Sequence, residues 1–435
     1  MSPTRTPPPP APPRPSAPPE TVDALLDTGL RVVAARRATA PVVQLRLGVP
    51  FGGTDPRHAA VAELLACTLL GGTATRPRTA LEDELAAVGG SLKAVVGPEN
   101  LLVTGVVLAE GLPRLLAVLA DCLTGAAYPA PLVESERERL LHRIGLTGAL
   151  PARAARAALL RRCFGDHPAT RETPDAAEVA GVGPAEVAAL HRDRLLPRGS
   201  ALVLVGDLDP ARTADLAAAL LGGWSDPRPA VRMAPLPAPA HRGQPAAAVP
   251  SPGARQCEIR LAAPAPVRSD PDHPALYLAD QVLGGFFSAR LVQELRERRG
   301  WIYTGRSGVE QRTGAALATV EFAAAPRHAR AALDGALAEL AAISGPHPPT
   351  TEEIAAARGH ALGHHALARS TQKGLADALY GPVTAGLPAD WPEGLAARLR
   401  AVPDEEVREA AARHLRPEAY TAVLLGPPEP GTAAD

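Results

Sequence analysis

Hydrophobic and polar residues alternate in short blocks along this chain, and the period changes from block to block. Residues 30–36 and 42–49 carry the two-residue or continuous apolar pattern of paired strands, and 57–70 carries apolar positions at helical spacing. Further strands are predicted at 92–96, 101–108 and 201–205, with helices at 112–123 and 133–162. Hairpin-like strand pairs mixed with amphipathic helices predict an α+β fold, a mostly antiparallel sheet covered by helices.

The same order of signals occurs twice. VVQLRLGVP, DPRHAAVAELLACTLLGG and ALEDELAAVGG in the first half are matched by CEIRLAAPAP, DPDHPALYLADQVLGG and LVQELRERRGW in the second. The ends also match, PAEVAALHRDRLLPRGSALVLVGD with PDEEVREAAARHLRPEAYTAVLLG. Self-similarity on this scale implies a duplicated domain. The expected organisation is a Pro-rich disordered tail at 1–20, a first domain at 21–225, a Pro-rich linker at 226–253, a second domain at 254–428 and a short tail at 429–435.

Composition narrows the function classes. The chain has 435 residues, 46% of them hydrophobic, enough for a large core and at least two domains. Its 45 basic and 46 acidic residues are interspersed, giving a net charge of −1 and no basic stripe for nucleic acid or an anionic membrane. The cysteines, Cys67, Cys122, Cys163 and Cys257, are widely spaced in apolar segments without a CxxC pair, as expected of reduced thiols in the cytoplasm. PPPPAPPRPSAPP near the N-terminus has neither the apolar core of a signal peptide nor the length of a membrane span. The abundance of arginine, alanine and proline suggests a bacterial genome rich in G and C.

Residues 61–73, VAELLACTLLGGT, have the outline of a zinc peptidase helix without its chemistry. An inverted motif, His-x-x-Glu-His, puts two imidazoles on one helical face with a carboxylate beside the metal-bound water. Here the stretch is Glu63-Leu64-Leu65-Ala66-Cys67.

With the twofold repeat, the LLGGT after that helix, and LGGFFSARLVQELRERRGWIY at 283–303, the chain resembles the insulinase/pitrilysin peptidases. The likeness is to the short two-domain branch that includes mitochondrial processing peptidase, and it extends over nearly the whole chain. In active members a glutamate on a later helix is the third zinc ligand; ESERERLLHRI aligned on that pattern places Arg143 there. The degenerate positions Glu63, Ala66, Cys67 and Arg143 imply no zinc site of the family's type. The plainer reading makes Glu63 a solvated helix residue and Cys67 a small buried one. No cofactor is expected in this chain, and zinc is expected in a partner subunit.

The resemblance implies roles for a second group. An arginine and a tyrosine seven residues apart reach the scissile carbonyl in the family, and they match Arg296 and Tyr303. A planar cationic donor and a phenolic donor suit a growing oxyanion. The alternative is a solvated helix arginine and a packing tyrosine. Gly284 and Gly285 permit close backbone approach in a loop that faces substrate in the family. Phe286 and Phe287 would give apolar peptide contact, with core packing as the alternative.

GHALGHHALA puts His360 and His364 at zinc-ligand spacing, with His365 adjacent. Gly363 stands where a base would sit and no third ligand can be named, so surface histidines are expected. The resemblance therefore implies a non-catalytic subunit that pairs with a zinc-bearing paralogue and helps it act on a peptide substrate. Maturation of a ribosomally made peptide is one such task. The other reading is a structural or peptide-binding homologue with no part in hydrolysis.

Overall fold

A computed structural model describes residues 18–148 and 150–427. Residues 1–17 of the Pro-rich tail and all of 429–435 therefore lie outside the described residues. The first sheet contains β1 (Thr21–Leu25), β2 (Arg31–Arg36), β3 (Val42–Pro50), β4 (Ser91–Val96), β5 (Asn100–Leu108) and β6 (Ala201–Gly206), in the order β1-β2-β6-β3-β5-β4. The second contains β7 (Ala247–Pro250), β8 (Cys257–Ala265), β9 (Ile302–Arg312), β10 (Ala315–Ala324) and β11 (Thr421–Gly426), in the order β7-β11-β8-β10-β9. The second order repeats β2-β6-β3-β5-β4 of the first, so the duplication seen in the sequence is a duplication of topology. Among the described strands, only β2 with β6 and β7 with β11 run parallel.

The fold is α+β, as the periodicities require. Three expectations need correction. Strands 30–36 and 42–49 do not pair, because β6 lies between them and bonds to both; a strand from the far end of the repeat leaves no local signal for its insertion. The helix expected at 133–162 is two, Ala130–Gly148 and Pro151–Phe164. Pro151 has no N–H to continue the first and takes the N-terminal position of the second, where none is needed. The stretch 226–253 is not a bare linker, since β7 lies in it. Its backbone is also docked: Ala230 donates to the Arg198 carbonyl, Ala240 to that of Cys163 and Gly243 to that of Tyr420.

One face of each sheet packs on its own helices and the other on a helix from the opposite half. Leu159, Leu160, Cys163 and Phe164 of Pro151–Phe164 pack against Ala262, Leu317 and Val423 of the second sheet. Reciprocally, Leu375, Ala376, Leu379 and Val383 of the helix Gln372–Thr384 pack against Val33, Ala35, Ala201, Val203 and Val205 of the first. Polar groups fix the exchange. The Gln372 amide donates to the carbonyls of Arg37, Ala40 and Val42 at 2.7, 2.8 and 3.1 Å. Arg156 forms bidentate contacts with both Glu172 and Glu310, and Arg312 donates to Glu172 at 2.6 Å.

Candidate functional site

The helix Pro56–Thr68 begins at Asp55, whose carboxylate accepts from the Arg57 N–H at 2.9 Å. Ala60, Val61, Leu64 and Leu65 bury one face in the core. Glu63 and Cys67, one turn apart, line a cleft with Ala66, the edge strand β4 and the helix Ala130–Gly148. Arg143 enters this cleft from that helix. Its Nη2 lies 3.3 Å from Glu63 Oε2 and 3.6 Å from Cys67 Sγ. Glu63, Ala66, Cys67 and Arg143 thus line the same cleft.

The electrostatics follow from this packing. Burial raises the Glu63 carboxyl above its ordinary value, opposed by the nearby Arg143 and Arg153 cations. Burial likewise raises the Cys67 thiol, and Arg143 partly offsets it. A raised thiol, one carboxylate and a guanidinium do not fit zinc, which takes deprotonated sulfur, neutral imidazole or carboxylate donors. Among the described residues no group of three or more His, Cys, Asp and Glu side chains could hold a metal.

The cleft wall is polar backbone as well as side chain. β4 is the outermost strand of its sheet and contributes Lys93, Ala94, Val95 and Val96 to the lining. Its outer edge can accept an added strand.

The Arg/Tyr pair lies in the second half. A wide helical turn, Gln293–Arg298, carries Arg296; Gly300 turns the chain with φ +64°, and Tyr303 follows near the start of β9. Between Ile302 and Gly305 the pairing with β10 gains one residue on the β9 side. This bulge frees Tyr303 from the regular alternation, a common device for re-aiming a side chain. The Tyr303 side chain is 77% exposed. The Arg296 guanidinium carbon is 4.8 Å from the Phe287 ring centre and 5.6 Å from that of Tyr303. Both distances are in cation–π range, so the rings fix a side chain that would otherwise sample many rotamers.

The loop before this turn separates its two aromatics. Phe287 is 66% exposed. Phe286 is half-buried, packed on the second core and stacked on His360 with ring centres 5.0 Å apart. A Cβ on Gly284 would come within 2.8 Å of the Ser307 backbone N, and one on Gly285 within 2.3 Å of the Gln281 side chain. Close approach to backbone therefore requires glycine at 284, whereas a side chain at 285 would displace the Gln281 amide. Arg290 anchors the loop's far end by a bidentate pair with Glu353 at 2.6 and 2.7 Å. The partnership of Arg296 with Phe287 was not legible in advance, although the nine-residue spacing across a helical segment was there to be noticed.

Comparison with known proteins places these features in a family. Residues 31–176 match the model of the insulinase family, Peptidase family M16, and residues 182–359 match that of the peptidase M16 inactive domain. An uncharacterized zinc protease of Mycobacterium tuberculosis is 28% identical over 92% of each chain. Mitochondrial-processing peptidase subunit beta of Dictyostelium discoideum is 32% identical over 28% of this chain and 27% of its own length. Among solved structures, a peptidase M16 inactive domain from Pseudomonas fluorescens superposes with a TM-score of 0.84 at 22% identity, covering 94% of this chain and 98% of that one. A protease from Helicobacter pylori gives the same TM-score at 14% identity, over 94% and 100% of the two chains. With both family models matched in tandem over most of its length, this chain belongs to the insulinase (M16) family of peptidases.

Proposed function

We propose that this chain is the zinc-less, Arg/Tyr-bearing subunit of a heterodimeric metallopeptidase. The observation that carries the reading is an asymmetry between its two sites. Arg143 fills the space between Glu63 and Cys67, whereas Arg296 and Tyr303 stay together and Tyr303 faces solvent. Undirected decay would have spared neither group.

The partner would be a paralogue bearing an intact zinc motif, whose metal supplies an activated water. In this chain a peptide would pair with the exposed edge of β4 or lie along the Phe287 surface. Arg296 and Tyr303 would each donate a hydrogen bond to the carbonyl oxygen as it gains charge, an interaction stronger in the transition state than in the bound substrate. Phe287 keeps the guanidinium in place. A ribosomally made precursor peptide is our proposed substrate class, and the cytoplasm its setting. No helix among the described residues is long and apolar enough to cross a membrane.

A second reading has one observation in its favour. Cytochrome b-c1 complex subunit 1 of Rattus norvegicus is 29% identical over 28% of this chain and 26% of its own length, so a subunit of a cytochrome complex has similar sequence. On that reading the chain is a scaffold. Co-expression with a paralogue that has the intact motif separates the two: a 1:1 complex that cleaves peptide while neither chain alone does so supports the peptidase subunit.

A further inference from the structure

The helix Thr351–Ala368 carries a feature that the Arg/Tyr reading leaves unused. His360 and His364 are both exposed and one helical turn apart, with ring centres 6.1 Å apart; the rings stack at an interplanar angle of 14°, so sharing an ion requires the exposed His364 ring to turn about its side-chain bonds. We propose that these two imidazoles form a chelate for one borderline divalent cation of the zinc, nickel or copper class. Such ions favour imidazole nitrogen, and an i, i+4 histidine pair is the spacing at which one helix face offers two of them.

The ring on the inner side is prepared for this role. His360 Nδ1 lies 3.0 Å from the Gln281 side-chain oxygen. That oxygen can only accept, so Nδ1 carries the proton and Nε2 keeps its lone pair. Metal-binding histidines are commonly fixed in this manner, the second nitrogen donating to an oxygen that sets tautomer and orientation. Phe286 stacks on His360, with a ring-plane angle of 25°. Gln281 in turn holds its place because Gly285 has no Cβ to collide with it.

His365 does not join the pair. Its Nε2 lies 2.7 Å from the Pro392 carbonyl, which turns it to another face of the helix. Two protein ligands leave at least two positions of a four-coordinate ion to water. The result is an exchangeable ion rather than a structural one. Its position against Phe286 would tie the helix Thr351–Ala368 to the loop that also bears Phe287, the ring against Arg296.

The test is titration of zinc chloride, and separately nickel chloride, into the full chain after removal of metal with a chelator. Saturation at one ion per chain is expected, with affinity reduced more than about 100-fold in His360→Ala or His364→Ala and retained in His365→Ala and Cys67→Ser. Gln281→Leu removes only the tautomer-fixing acceptor and should weaken binding by roughly tenfold. Nickel should also broaden the ring resonances of His360 and His364 before those of other histidines, a localisation that needs no variant. Absence of saturable binding, or an unchanged isotherm in both His360→Ala and His364→Ala, overturns the proposal. None of these outcomes depends on peptidase activity.

Discussion

Arg143 donates to Glu63 across 3.3 Å, a contact that joins the helices Pro56–Thr68 and Ala130–Gly148. The pair is partly solvated, with 55% of the Arg143 side chain exposed, so its contribution to stability is below about 1 kcal/mol. Its consequence is chemical: a cation built into the chain stands beside the only carboxylate left on that helical face.

The frame around this contact should therefore accept zinc once the ligands return. The variant combining Glu63→His, Ala66→Glu, Cys67→His and Arg143→Glu is expected to retain about one zinc per chain after dialysis, while the wild-type chain retains none at these four positions. Metal analysis of the two proteins, with folding checked by circular dichroism, decides this. A folded variant without zinc would mean that the backbone has drifted from the family's geometry.

The exchanged helices make the two halves one cooperative unit. Leu379 of the second half is buried on the first sheet, so Leu379→Ala should cost roughly 2–5 kcal/mol and lower a single unfolding midpoint. Trp224 reports on the first half, where its indole donates to the Leu195 carbonyl at 2.9 Å, and Trp391 packs with the second core. Single-tryptophan variants should give coincident denaturation curves. Separate midpoints would show that the halves unfold independently.

Two buried groups on the helix His273–Asp280 give a pH dependence with opposed signs. Burial, reinforced by Arg268 and Arg398 and opposed by Asp270, lowers His273 to about 4. Its neutral form is favoured by folding, so its contribution is present above the unfolded value near 6.5 and is lost as pH falls toward 4. Burial raises Asp280 to about 7, with the Ser307 hydrogen bond acting the other way. Its neutral form is also favoured, but here stability falls as pH rises from the unfolded value near 4 to 7. Each effect is worth on the order of 3–4 kcal/mol, and they largely cancel between pH 4 and 6.5. Urea unfolding across this range should show a shallow profile for the wild type. Asp280→Asn should unmask a rise with pH and His273→Gln a fall; parallel profiles for all three proteins would refute the assignment.

What could be seen in advance depended on the range of the interactions. The strands, the duplicated order and the approach of Arg143 to Glu63 follow from local periodicity and from a resemblance that fixes the fold. β6 entering between β2 and β3, and the trading of Pro151–Phe164 for Gln372–Thr384, arise from contacts between distant segments with no local signature. The break before Pro151 was a local signal that the apolar pattern outweighed. At the second site the sequence brought Arg296 and Tyr303 together but did not distinguish Phe286, which packs on His360, from its neighbour Phe287, which holds Arg296.

Assembly should follow from the same frame. Mixed with a paralogue carrying an intact motif, the chain is expected to elute from size-exclusion chromatography as a 1:1 complex, with more than ~2,000 Å² buried as in permanent assemblies. Two independently eluting species at micromolar concentration would contradict that expectation.

The most direct test of the account is the turnover of that complex with Tyr303→Phe in this subunit. The exchange removes one hydroxyl donor and keeps the ring beside Arg296, so assembly, checked by chromatography, should persist. If Tyr303 donates to the developing oxyanion, kcat on a genuine substrate should fall on the order of 100-fold. Arg296→Lys should also be impaired, because an ammonium lacks the planar fork of the guanidinium. Wild-type kcat from an intact Tyr303→Phe complex would contradict the catalytic role and leave the chain as a scaffold.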